Sequence, residues 1–307
     1  MILTEKYRPT NISEIKSQEE ITNILKYMTE HKEMNANFLL YGISGVGKTS
    51  CINSFANEYH GKDRSLMVLE LNASANRGIE TVRNIITDFI SSKTFCKTTN
   101  KKIIILDEAD NMTVNAQILI ASLMETYKNV IFCFVCNYIN KMNESISNRC
   151  LKFRFNKISL QMTKKIFKNI IAQENIDMVI DTEICKKIYN ISNGDLRKGI
   201  NILQLLIENN NFDYISSFMN EPSGTQINNI VEIITTENKL HIKLEEAKSY
   251  INENNLKLKN IIPYLTKYII KNKMNRKKII KMAEIENNLI YDFNFDIQLC
   301  SIIMLFT

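Results

Sequence analysis

Proline and glycine are scarce, three and eight residues among 307. With 45% hydrophobic and 23% charged residues, so few chain breakers point to a globular, helix-rich protein. No apolar run approaches the roughly 18 residues that a membrane-spanning helix needs, so no membrane partner is expected. The start, Met1-Ile2-Leu3-Thr4-Glu5-Lys6, lacks the apolar core of a signal peptide. There is no internal repeat and no low-complexity tail. The cysteines number seven, an odd count scattered through apolar segments, which points to a reducing compartment rather than a disulfide framework. The one CxxC, Cys133 and Cys136, lies inside the apolar run Val130–Cys136, where strand periodicity sends the two thiols to opposite faces. That geometry does not suit a shared zinc ion.

The formal charge of +6 is modest. It permits a nucleic-acid or other polyanionic partner, but by itself a solvated basic surface is the simpler explanation. Abundant Asn, Lys and Ile read as a nucleotide-composition bias, which weakens any argument from a lone surface lysine.

The first half alternates short apolar runs with helical patterns. Phe38–Tyr41, Leu66–Leu71, Lys102–Leu106, Val130–Cys136 and Leu151–Phe155 read as strands; Ser50–Tyr59, Thr81–Ile90 and Asn115–Thr126 repeat near 3.6. Strands apolar on both faces and separated by helices predict a parallel sheet covered on two sides, an α/β core over residues 1–157. From 158 to 219 the pattern is helical. Ser159 caps a helix burying Ile166, Phe167, Ile170 and Ile171, and Asp181 or Thr182 starts a second that stops at Gly194. A third places Leu196, Ile200, Leu203 and Leu206 on one stripe. Glu221-Pro222-Ser223-Gly224 reads as a linker into an all-α domain over 220–307, with helices at Ile227–Thr235, His241–Asn252, Pro263–Lys273 and Lys277–Tyr291. Pro263 is expected in a first turn, where its missing N–H costs nothing.

The sharpest motif is Gly42-Ile43-Ser44-Gly45-Val46-Gly47-Lys48-Thr49, followed by Ser50. It follows a strand and opens a helix, the context a phosphate-binding loop requires. Its glycines let successive N–H groups face phosphate oxygens, and the helix adds its positive end. Lys48 suits the β- and γ-phosphates of ATP, and Thr49 suits Mg2+. The run Ile103–Leu106 delivers Asp107, a second Mg2+ ligand, and Glu108, able to orient and deprotonate an attacking water. Asn137, directly after Val130–Cys136, is either a contact to that water and the γ-phosphate or a turn-forming residue.

Several short segments occur in order: Glu5-Lys6-Tyr7-Arg8-Pro9, Leu69-Glu70-Leu71-Asn72-Ala73-Ser74, Arg77-Gly78-Ile79, Leu106-Asp107-Glu108-Ala109-Asp110, Cys136-Asn137-Tyr138, Arg149-Cys150 and Gly194-Asp195-Leu196-Arg197-Lys198. Over residues 4–205 the chain resembles the small subunits of replication factor C, AAA+ clamp loaders; the last third matches only in being helical. The resemblance implies an AAA+ core, a helical lid and a collar domain. It implies a heteropentamer with other replication factor C subunits that uses ATP to open a sliding clamp of the PCNA type and load it on primer–template DNA in the nucleus. It implies that Tyr7, Arg8 and Pro9 lie near the adenine, that Asn137 is sensor 1 and Arg197 sensor 2, and that Arg149 reaches the ATP of an adjacent subunit. It implies that Arg77, Ile79, Arg83 and Thr113 lie along the duplex backbone.

The pattern departs in places. Ile43-Ser44 replaces Pro-Pro, Ala75-Asn76 replaces Asp-Asp, and Asn148 replaces the serine before the finger. Ala121-Ser122 stands where the family carries two arginines, expected to face a neighbouring subunit. Two other readings stay open: another AAA+ ATPase acting on DNA, and a structural subunit that binds ATP without hydrolysing it.

Overall fold

The computed structural model describes residues 2–15, 17–31, 36–73, 79–92, 101–176, 178, 180–209, 222, 224–272, 275–289 and 294–306. They divide into two compact units, 1–208 and 209–307.

In the first unit five parallel strands form one sheet: β1 (Asn37–Gly42), β2 (Val68–Asn72), β3 (Lys102–Asp107), β4 (Val130–Cys136) and β5 (Cys150–Phe155), in the order β2-β3-β4-β1-β5. The alternation of side chains across a strand divides its core cleanly. Phe38, Leu40, Ile103, Ile105, Ile131, Cys133 and Val135 pack with helices α2 (Glu19–Glu30) and α3 (Lys48–His60). Leu39, Ile104, Leu106, Phe132, Phe134 and Cys136 pack on the other face with α5 (Ile79–Ser91) and α6 (Val114–Thr126). Cys133 and Cys136 thus belong to different cores, as the strand period predicts. The short helix α1 (Leu3–Lys6) precedes these elements. The strand expected from Leu66 begins at Val68, because Arg64–Met67 forms a turn of helix, α4, that leaves Leu66 exposed. One more short helix, α7 (Glu144–Ser147), leads into β5.

Three helices complete this unit: α8 (Leu160–Gln173), α9 (Thr182–Ser192) and α10 (Leu196–Asn209). Their caps are those the sequence offers. The Ser159 side chain accepts from the Met162 N–H, and Asp181 accepts from the Glu183 N–H. α9 stops where Asn193 and Gly194 both turn left-handed, with φ of 53° and 83°.

The second unit contains α11 (Gly224–Thr235), α12 (Leu240–Glu253), α13 (Leu258–Lys271), α14 (Arg276–Asn288) and α15 (Phe295–Phe306) around a core of its own. Pro263 corrects the expectation: it lies in the sixth position of α13 rather than the first turn. Its ring removes one backbone bond, and the helix continues because Ile261, Ile262, Leu265 and Ile269 are all buried around it. Helix α15 was not foreseen. Its sequence is apolar nearly all round, with Ile297 and Met304 exposed beside buried Leu299, Ile302 and Ile303, so no 3.6-residue period stands out. Among the described residues no helix is long and apolar enough to cross a membrane.

Candidate nucleotide-binding site

Parallel strands carry their C-terminal ends to one edge of the sheet, where ligands bind in folds of this kind. Here Gly42 closes β1, Asp107 closes β3 in register with Asn72, and Asn137 follows β4, whose Cys136 pairs with Tyr41. A cavity of about 410 Å³ opens at this edge. The phosphate-loop residues Ser44, Gly45, Val46, Gly47, Lys48, Thr49 and Ser50 line it, together with Asp107, Glu108 and Asn137. From the N-terminal segment come Tyr7, Arg8 and Pro9, and from the start of α10 comes Arg197. Gly42 and Ile43 contribute carbonyl oxygens behind the loop instead of lining the cavity.

Two glycines are fixed by close approach. At Gly42, with φ 148°, an added Cβ would stand 2.4 Å from the Phe155 carbonyl oxygen on the neighbouring strand. At Gly45, with φ 68°, it would stand 1.8 Å from the Asp195 carboxylate. The Leu196 N–H also donates to the Gly45 carbonyl at 3.1 Å. The start of α10 is therefore seated directly on the phosphate loop.

Lys48 is 6% exposed. Its ammonium donates to the carbonyls of Gly42 (2.8 Å) and Ile43 (2.7 Å) and to Asn137 Oδ1 (2.9 Å). Burial pulls its pKa below the usual lysine value, opposed by Cys136, Asp107, Asp110 and Asp195. Asp107 Oδ1 accepts from the Glu108 N–H at 2.9 Å. Glu108 adopts a left-handed backbone, φ 53°, and its carboxylate accepts from Asn111 Nδ2 at 3.2 Å. A non-glycine residue in that region is uncommon and recurs at functional positions.

Two buried residues, neither given a role from sequence, hold this region: Asp110 supports Asn137 and Tyr138, and Gln117 holds the segment that follows them. Asp110 Oδ2 accepts from the N–H groups of Asn137 (3.2 Å) and Tyr138 (3.1 Å). Gln117 on α6 donates to the carbonyls of Met112 (3.3 Å) and Lys141 (3.1 Å) and accepts from the Asn143 N–H (2.6 Å). A lone glutamine amid the apolar residues of α6 was the available signal.

Tyr7 lines the cavity, but its hydroxyl is engaged elsewhere: it donates to Glu174 Oε1 at 2.7 Å. Burial, then the bond and charge of Glu174, push the phenol up to about 12. The Lys6 ammonium lies 2.7 Å from the same oxygen, and these two donors, Lys6 first, hold Glu174 below the usual carboxylate range. The Leu3 N–H donates to Gln204 Oε1 at 3.0 Å, and Ser54 Oγ donates to the Pro9 carbonyl at 3.2 Å. The N-terminal segment is thereby tied to α8 and α10 on one side and to α3 on the other.

Arg149 stands outside this cavity. It is exposed, ion-paired with Glu125, and donates to the Ser145 carbonyl. Ala121 is 5% exposed and packs in the core, so only Ser122 of that pair faces outward. Helix periodicity turns the first of the two positions inward. Of the residues expected along DNA, Arg77 lies outside the described residues, as do Ala75 and Asn76. Ile79 is the first residue of α5, Arg83 is exposed on that helix, and the Thr113 hydroxyl accepts from the Ala116 N–H as the cap of α6.

The chemistry of the donor set fits a magnesium triphosphate. Lysine donors and loop amides meet phosphate oxygens, and the Thr49 hydroxyl and Asp107 carboxylate are hard oxygen ligands of the kind Mg2+ takes.

Residues 38–157 match the model of the ATPase family associated with various cellular activities. The solved branch migration motor RuvB of Thermotoga maritima shares the fold, with a TM-score of 0.56 and 15% identity over 82% of this chain and 86% of that one. Among curated relatives, the probable replication factor C subunit 5 of Dictyostelium discoideum is 35% identical over 97% of this chain and 88% of its own length. Replication factor C subunit 3 of Saccharomyces cerevisiae is 35% identical over 96% and 89%, and human replication factor C subunit 5 is 31% identical over 98% and 90%. The likeness thus extends beyond residues 4–205 into the helical last third. With relatives at this identity spanning nearly all of both lengths, the chain belongs to the replication factor C subunit family and carries an AAA-type ATPase domain.

Proposed function

We propose that this chain is an ATP-binding clamp-loader subunit, working in a nuclear heteropentamer that opens a sliding clamp of the PCNA type and closes it around primer–template DNA. The observation that carries the reading is the convergence of Lys48, Thr49, Asp107, Glu108, Asn137 and Arg197 on one cavity. ATP is the substrate, and Mg2+ held by Thr49 and Asp107 would neutralise phosphate charge. Lys48, already between the loop carbonyls and Asn137, is placed to meet the terminal phosphates. Glu108 would take the proton of the attacking water, with Asn137 orienting that water. Arg197, on a helix seated against the phosphate loop, would report the nucleotide to the lid comprising residues 158–219, and the helices of 220–307 would form the collar. Arg149 would serve the site of an adjacent subunit, where a guanidinium stabilises charge developing on the γ-phosphate. Arg77, Ile79, Arg83 and Thr113 would approach the DNA backbone at helix starts. Tyr7, Arg8 and Pro9 would border the adenine.

A second reading, binding without turnover at this site, draws on the hydrogen bond that ties Glu108 to Asn111. One experiment decides between them. In the reconstituted assembly, Lys48→Ala is expected to abolish clamp loading, and Glu108→Gln to retain ATP binding while cutting steady-state ATPase by a subunit's share. If Glu108→Gln leaves turnover and loading at the unmodified level, this site binds without hydrolysing; if Lys48→Ala also does, the site is not used at all.

A further inference from the structure

The chain's positive charge is concentrated in one place. Between Asn254 and Ala283 there are nine Lys and Arg residues and no Asp or Glu. Nine exceeds the formal net charge of the whole protein, +6, so the rest of the chain is net negative. A genome bias toward lysine codons would spread lysines along the chain and would not remove acids from thirty consecutive residues. This stretch covers α13 and the first half of α14, which pack together in the second unit; the second half of α14 carries Glu284 and Glu286.

The fold presents these charges to solvent. Lys259, Lys267 and Lys271 on α13 are exposed, as are Arg276, Lys277 and Lys281 on α14. None of the six has an ion pair among the described residues. Lys259, Lys267 and Lys271 fall on the i±4 ridge of α13, while Ile261, Ile262, Leu265 and Ile269 face the core. The first turn of α14 is Arg276-Lys277-Lys278, with no acidic residue, although the positive end of a helix disfavours cations. Such an arrangement is unfavourable in isolation and becomes favourable against a polyanion.

We infer that this helix pair is a second nucleic-acid contact, separate from the core helices, that holds the phosphate backbone of duplex DNA without reading bases. Three observations bear on the occupant and favour duplex DNA over an acidic protein surface or a single strand. The cations are nearly all lysine, a residue depleted from protein–protein interface cores but well matched to phosphates it can meet while still solvated. The aromatic residues of α13, Tyr264 and Tyr268, are half-buried, and the Lys267 ammonium covers the Tyr264 ring at 5.4 Å, so no platform for base stacking is offered. A helix of this length, about 20 Å, spans a series of duplex phosphates, which recur about every 1.7 Å of helix axis.

The test measures binding of the full-length chain to a labelled duplex of arbitrary sequence by fluorescence anisotropy, without nucleotide, from 50 to 200 mM salt. The variant Lys267→Gln/Lys271→Gln/Lys277→Gln/Lys281→Gln is expected to bind at least tenfold more weakly at low salt. Its plot of log K against log salt should be shallower by about 3 to 4, since each lost phosphate contact removes about 0.9 from the slope. The corresponding four Lys→Arg changes should retain the unmodified slope, and Lys62→Gln/Lys152→Gln/Lys165→Gln/Lys168→Gln, which removes the same charge elsewhere, should leave it nearly unchanged. An equal loss in that control set would reduce the effect to bulk charge and overturn the inference. So would an unchanged slope in the first variant, or preferential binding of the chain to anionic vesicles or to an acidic polypeptide over duplex at equal charge concentration. Because no nucleotide is present, the outcome is independent of the ATP site.

Discussion

Gly45 shows how much a single residue in this site must satisfy. It lies in the phosphate loop, holds a left-handed backbone and touches the Asp195 carboxylate. Alanine there adds the cost of a left-handed non-glycine residue, about 1–2 kcal/mol, and a clash with the start of α10. Gly45→Ala is expected to lower the urea midpoint accordingly and to weaken ATP binding, read by a fluorescent analogue; unchanged affinity would mean that the seat of α10 on the loop is unimportant for binding. Tyr7 and Glu174 make a pH-dependent pair. The phenol is raised from 10.0 to about 12, so the stability it gives is complete below pH 10 and is lost as pH rises through about 12. Glu174 is lowered, so its share is complete above its ordinary pKa and is lost on acidification through the depressed value. Thermal melts should show Tyr7→Phe flattening the alkaline limb while the acid limb persists through Lys6–Glu174. That Tyr7 lies at the cavity was legible in the Tyr-Arg-Pro segment; that its hydroxyl belongs to Glu174, 167 residues away, was not.

Among the elements, α13 is the one that breaks a local rule. Pro263 sits inside it, exposed, and deletes the N–H that would reach the Lys259 carbonyl. Pro263→Ala is expected to stabilise the chain by about 1–3 kcal/mol, visible as a higher denaturant midpoint with an unchanged m-value. A lower midpoint would show that the ring is needed for packing. The sheet was the most legible part of the chain: Val130–Cys136 was bounded to the residue, because a strand covered on both faces reads as an unbroken apolar run. Helix α2 carries Ile21, Leu25 and Met28 at helical spacing, a period legible in the sequence itself. Helix α15 carried no such period to use.

The whole molecule is two units with separate cores. Among the described residues, the core of the second unit is built from residues between Ile227 and Phe306, Ile230, Ile251, Leu265 and Ile302 among them. A fragment of residues 224–306 is therefore expected to fold alone and to melt cooperatively by circular dichroism; a broad, non-cooperative transition would show that its core depends on the first unit. The division falls after residue 208, within the helical tract assigned from sequence to a lid over 158–219, because α10 packs with the residues before it.

What the sequence determined by itself is whatever follows from neighbours along the chain: the phosphate loop between a strand and a helix, acids at the end of an apolar run, caps at Ser159 and Asp181. Each is a local motif whose geometry is set within about ten residues, so pattern suffices. What only the tertiary structure decided are pairings between distant groups: Asp110 holding the amides of Asn137 and Tyr138, Gln117 bridging Met112, Lys141 and Asn143, Ala121 turned into the core, and Arg149 paired with Glu125. A buried polar group must find its partner wherever packing brings one, and the partner's place in the sequence leaves no periodic trace.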